Sequence, residues 1–202
     1  MNANWETPPP RSGIAGALDK FVGPGATKAE LALQFGIAAL AGIAAPVYAT
    51  LVTKSWSWVQ YAACSLLALD IAGGVVTNAT SSAKRWYHRA GRNFLHHFGF
   101  VSLHLFHLLI VSALYLEFNI VWIMVAGGYM LCSTLLILAV PLYLQRPVAV
   151  TAYSGAVLIC SYVLTQPEGV EWFLPLFYLK LLVSHLLKEE PYRPQNVCAQ
   201  RH

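Results

Sequence analysis

Residues 94–116 read FLHHFGFVSLHLFHLLIVSALYL, an apolar run set between Arg92-Asn93 and Glu117-Phe118-Asn119. As a helix it is long enough to cross a hydrocarbon core of about 30 Å. Open strands are excluded at that depth because unpaired backbone groups are too costly in lipid. Five similar runs surround it: Leu31–Leu51, Trp56–Asn78, Ile120–Leu144, Val148–Leu164 and Val170–Leu187. The expected fold is therefore all-α, a polytopic membrane protein of about six transmembrane helices.

Composition agrees. The chain has 202 residues, 57% hydrophobic and 11% charged, where soluble domains carry roughly 25% charged residues. Six spans leave no room for a sizeable soluble domain, so the expected organisation is a cytoplasmic tail over 1–28, a transmembrane domain over 29–188 and a second tail over 189–202. Ile14, Leu18, Phe21 and Val22 share a helical face and predict a short interfacial helix within the first tail. Thr27-Lys28-Ala29-Glu30 reads as a capping box opening the first span, and Pro46 predicts a mild kink in it. Glu117-Phe118-Asn119 and Gln145-Arg146-Pro147 read as tight links. The polar, proline-rich start, Met1 to Pro10, does not resemble a cleavable signal peptide.

Basic residues cluster in alternate segments. Arg11, Lys20 and Lys28, then Lys84, Arg85, Arg89 and Arg92, then Arg146, then Lys188, Arg193 and Arg201 fall on one side, against Lys54 on the other. By the positive-inside rule both termini are expected in the cytoplasm, and the inner cell membrane is the expected location. The net charge of +4 is explained by topology, so no nucleic-acid partner is expected. Cys64, Cys132, Cys160 and Cys198 form no CxxC pair and predict neither a disulfide framework nor a zinc ribbon.

The informative residues are ionisable groups at membrane depth, where each costs about 2.5–3.5 kcal/mol and calls for a reason. Asp70 lies in the second span, above Gly73, Gly74 and Thr77. Lys180 lies in the sixth and is the natural partner for Asp70, since pairing offsets burial. In the third span, His97 and His104 lie ~20° apart, as do His96 and His107, within an arc of ~100°. His185 in the sixth span lies ~140° from Lys180, so the two are expected to face different neighbours. Asp70 and Lys180 are the candidate catalytic or relay residues, and His97, His104, His107 and His185 the candidate metal ligands. Lys84, Arg85, His88 and Arg89, between the second and third spans, are candidate contacts to lipid headgroups or phosphate.

Three functions fit. The first is a membrane-embedded oxidoreductase using iron or haem on a lipid-soluble substrate, with His104 or His107 facing His185 as axial ligands, or two histidines and Asp70 around one iron. No HxxxH, HxxHH or HExxH run is present, and a di-iron centre drawing on exposed histidines such as His202 is overstretched. The second is a small proton-coupled transporter or channel with Asp70, Lys180 and the histidines as a relay; Gly127, Gly128, Tyr129, Tyr153, Gly155 and Tyr162 would suit its path as well as packing. The third is a non-catalytic partner in a homo-oligomer or larger membrane complex, using small patches such as Gly73-Gly74. Asp70–Asn78 faintly resembles a lipid-desaturase opening but lacks the histidine and tryptophan of that motif, so no family is implied.

Overall fold

The computed structural model describes Asn2–Ala3 and residues 5–193; Cys198, Arg201 and His202 lie outside the described residues. Apart from an antiparallel pairing of Asn2–Ala3 with Tyr192–Arg193, the regular structure is helical. Four helices are long and apolar enough to cross a membrane: Lys28–Val52 (α2), Trp58–Ala79 (α3), the broken helix Phe94–Tyr115 (α5 and α6) and Ile120–Ala139 (α7). A multi-pass membrane protein follows. Large apolar side chains such as Leu40, Ile43 and Leu51 on α2 face outward, as lipid contact requires and water does not favour.

Local sequence sets the helix starts. Thr27 and Glu30 form the expected capping box at α2, and Ser57 with Gln60 forms a second at α3. A short helix does form over the expected segment, Gly13–Val22 (α1), burying Val22 and leaving Ile14 and Phe21 outward. It is pinned by Arg11, whose guanidinium pairs with Asp19 at 2.7 Å and holds that carboxyl down at about 2. Asn119 caps α7 through Trp122 N–H, and Glu117 and Phe118 turn the link before it with positive φ.

Two expectations need correction. Gln145-Arg146-Pro147 is not a link: the chain turns at Val140-Pro141, and helix Leu142–Tyr162 (α8) runs through Pro147. Pro147 is the sixth residue of that helix, so it removes the bond its N–H would give to the Tyr143 carbonyl, a local weak point that the rest of the helix outlasts. Gly73 and Gly74 are not a surface patch. A Cβ on Gly73 would stand 2.7 Å from Ala38 Cβ on α2, and one on Gly74 would stand 2.4 Å from Lys180 Cε. Both glycines serve contacts inside the chain. Gly155 likewise admits the Tyr129 hydroxyl, which donates to Ala152 O at 2.6 Å.

The sixth apolar run behaves unlike the others. Phe173–Tyr178 (α9) passes directly into a π-helical segment, Leu179–His185. Phe173, Leu174, Phe177, Tyr178, Leu181 and Leu182 are all essentially buried. This helix threads the middle of the bundle, packed by α3, α7 and α8. Those helices cover the face that carries Lys180, Ser184 and His185, the polar side chains that lipid would reject, while Leu176, Leu179 and Val183 stay partly exposed on another face.

Candidate functional site

Asp70, on α3, meets the central helix. Lys180 Nζ stands 2.7 Å from Asp70 Oδ2, and His107 Nε2 stands 3.0 Å from the same oxygen. Gly74 is what lets the lysine in, since its missing Cβ is the space the Lys180 stem occupies. Lys180 is 3% exposed, whereas the Asp70 side chain keeps 41% of its surface. The open side of the carboxylate lines a crevice of about 100 Å³ between α2 and α3, beside Gln34, Gly73 and Thr77. Gln34 is 2% exposed, and its Oε1 has no hydrogen-bond partner among the described residues.

His107 has one nitrogen on Asp70 and the other open: its Nδ1 is buried without a partner among the described residues. When neutral, with Nε2–H on the carboxylate, the ring presents Nδ1 as a bare acceptor. Its ring stacks on His104 at 4.9 Å. His104 explains the break in the long helix. Its Nδ1 lies 2.9 Å from Phe100 O, and that carbonyl can only accept, so Nδ1 carries the proton. Having lost that acceptor to the side chain, the His104 backbone N–H bonds Val101 O at 3.0 Å instead. The turn between Phe94–Leu103 (α5) and Leu105–Tyr115 (α6) tightens accordingly.

A second cluster lies at the other end of the central helix. His185 Nε2 is 3.4 Å from His97 Nδ1, and His185 Nδ1 is 3.5 Å from Asn78 Oδ1. Asn78 Oδ1 accepts, so His185 carries its proton on Nδ1, and His97 Nδ1–H donates to His185 Nε2. His88 stacks on His97 at 4.6 Å and donates from Nε2 to His185 O at 2.9 Å. Burial, with His97 and Lys84 nearby, pushes His88 down to about 3, so it is neutral at ordinary pH. Phe100 sits between the clusters, stacked at 3.9 Å on His185 and 4.7 Å from His104.

The four candidate metal ligands thus fall into two pairs, His97 with His185 and His104 with His107. Among the described residues no group of three His, Cys, Asp or Glu stands as a metal ion would need. His97 and His185 touch directly, which leaves no space for a haem between them. Asp70 and Lys180 meet as their burial cost demands. Asn78 joins the site through His185, and Phe100 and Gln34 join it without having been singled out for it. Each left a signal: Gln34 is a lone amide in an apolar run, and Phe100 shares a helix face with His97 and His104.

Two of the four lysines and arginines between α3 and α5 are inside. Ser81–Tyr87 is a helix (α4), and Lys84 and Arg85 are 2% and 1% exposed. Lys84 donates to Ser184 O at 2.6 Å and Leu187 O at 2.7 Å, closing the carbonyls at the end of the π segment, with Glu189 at 3.5 Å. Burial brings its ammonium down to about 8. Arg89 lies over the Trp86 ring at 3.5 Å and donates to Trp86 O. Lys84 is therefore a clamp on the central helix. Lys84→Met should remove about 2–4 kcal/mol of stability, because two buried carbonyls lose their donor. Thermal unfolding in detergent measures it, and a midpoint shift under 2 °C would contradict the clamp.

Comparison of the chain with known protein families, with curated proteins and with solved structures finds no match.

Proposed function

We propose that the chain is a small proton-coupled membrane carrier whose working group is Asp70, shared between Lys180 and His107. One observation carries this reading: a carboxylate at membrane depth is held by a lysine and by a histidine whose second nitrogen is open. A proton arriving at His107 Nδ1 makes the ring a cation. The imidazolium then competes with Lys180 for Asp70 and releases the lysine from the carboxylate. Lys180 belongs to a π-helical segment, a geometry that concentrates at functional sites. The two histidine clusters extend the path toward the α4 end, with the Phe100 ring as the one apolar step between them.

The topology proposed with this function is six crossings with both ends in the cytoplasm, in an inner cell membrane. The Asn2–Ala3 pairing with Tyr192–Arg193 supports it, because the chain ends then lie at one face. The basic segments fall at that face: α4 packs on α1, and Arg146 and Lys84 both reach Glu189. α8 has 21 residues, about 31 Å at 1.5 Å per residue, enough to cross. The central helix is shorter, and burial within protein frees it from matching the lipid.

The test uses the purified chain in sealed vesicles carrying an internal pH dye, with a potassium diffusion potential imposed. Proton entry well above empty vesicles, reduced at least ~10-fold by Asp70→Asn, is the expected result. Flux unchanged by that substitution, or equal to empty vesicles, would sink the reading.

A second reading, a metal-dependent oxidoreductase acting on a lipid-like substrate, is favoured by one feature. The rings of His88, His97 and His185 lie 4.6, 5.4 and 6.3 Å apart. Their nitrogens now face one another and a carbonyl, so a metal would require the rings to turn. Elemental analysis separates the readings: near one metal per chain, lost on His185→Ala, would favour this one.

A further inference from the structure

A larger cavity lies toward the opposite end of the bundle, with a volume of about 390 Å³ between α2, α3 and the start of α9. That volume falls within the range of small-molecule sites. Its walls are built of alanines, Ala41 and Ala44 on α2 and Ala68 and Ala72 on α3, and are therefore smooth and apolar. At one end stand Glu171 and Trp172. Each holds a buried polar atom without a hydrogen-bond partner among the described residues: Glu171 Oε2, an acceptor, and Trp172 Nε1, a donor. Leaving either group unmatched costs roughly 1–3 kcal/mol. The other carboxylate oxygen is already engaged, accepting from Gly169 N at 3.0 Å, which fixes the side chain.

We infer that this cavity binds a single-chain lipid alcohol. A hydroxyl accepts from an indole N–H and donates to a carboxylate oxygen, so an alcohol offers both of the partners that the neighbouring Glu171 and Trp172 lack. A hydrocarbon tail matches the alanine walls. A fatty acid is the wrong ligand because its carboxylate would meet Glu171, and an alkane leaves both polar atoms unmatched. The inference is independent of the proton-handling proposal, since neither Asp70 nor any histidine lines this space.

The experiment measures tritiated tetradecanol binding to the full chain in phosphatidylcholine nanodiscs, with tetradecane and myristate as competitors. Saturable binding near one per chain is expected, with both competitors at least ~10-fold weaker. Trp172→Phe, which removes one donor and keeps an aromatic ring, should weaken binding ~3–10-fold. Ala72→Phe should abolish binding by filling the cavity, and Ala44→Leu on the α2 wall should reduce it if the first variant fails to fold. Tetradecane competing as well as the alcohol would mean that the space is filled by bilayer acyl chains, and would overturn the proposal. So would full binding by Trp172→Phe, or no saturable binding at all.

Discussion

Asp70→Asn should destabilise the protein by about 3 kcal/mol, and more than Lys180→Met does. Removing one member of a buried ion pair strands the other, a loss that typically costs about 3–5 kcal/mol. The two members are not equally buried. Lys180 is 3% exposed and has no route to water, whereas the Asp70 side chain is 41% exposed and keeps His107. Losing the carboxylate therefore strands the worse-placed charge. The loss falls at the low end of that range because the exposure of Asp70 already softens the pair. Combining Asp70→Asn with Lys180→Met should recover most of the loss, since no uncompensated ammonium remains. Unfolding of the single and double variants in mixed micelles measures the coupling. Strictly additive losses would show that the two side chains are not paired.

Gly74→Ala, a change of one methyl group, should disable the site while leaving most of the fold. The new Cβ would stand 2.4 Å from Lys180 Cε and 2.9 Å from both Cδ and Nζ. No real side chain tolerates the first distance, so the lysine must yield. Its head is held at Asp70 and its stem is enclosed, so yielding means leaving the carboxylate. Overpacking of this kind costs about 1–3 kcal/mol. The expected result is a modest loss of stability with proton flux reduced at least ~10-fold. Gly99→Ala is the control, because its added Cβ meets nothing within 4 Å. Should Gly74→Ala conduct like the parent, Lys180 has another way to reach Asp70 and the proposed release is wrong.

What was legible in the sequence follows from how local each signal is. Capping boxes, the short helix near the start and four of the apolar runs are read from neighbours in the chain, and helices form over them. Asp70 and Lys180 were legible because lipid makes an isolated charge so costly that the partner is almost implied. The histidines were legible as a set and not as an arrangement. Uniform helical phase placed His97 with His104, but the His104 side chain takes the Phe100 carbonyl and tightens that turn, while the central helix claims His97 through His185. Lys84 was misleading for a related reason. A lysine in a polar stretch reads as surface, and nothing local announces that its acceptors are carbonyls about a hundred residues later. Pro147 looked like a stop because a proline usually ends helices, and its position just inside α8 was not visible without the turn at Pro141.

The central helix also imposes an order of assembly. Lys180 follows its carboxylate partner by 110 residues, about 5–20 s of synthesis at ordinary ribosome speeds. During that interval the four long apolar helices, α2, α3, the broken α5–α6 and α7, can enter the bilayer while the groove beside α3 and α7 stands empty, with Asp70 and the α5 and α6 histidines unshielded. A nascent chain in this state has a vacancy at its heart rather than at its edge. Stalling between α8 and α9 should therefore yield a species recognised by membrane quality control, even though the four long apolar helices are already inserted.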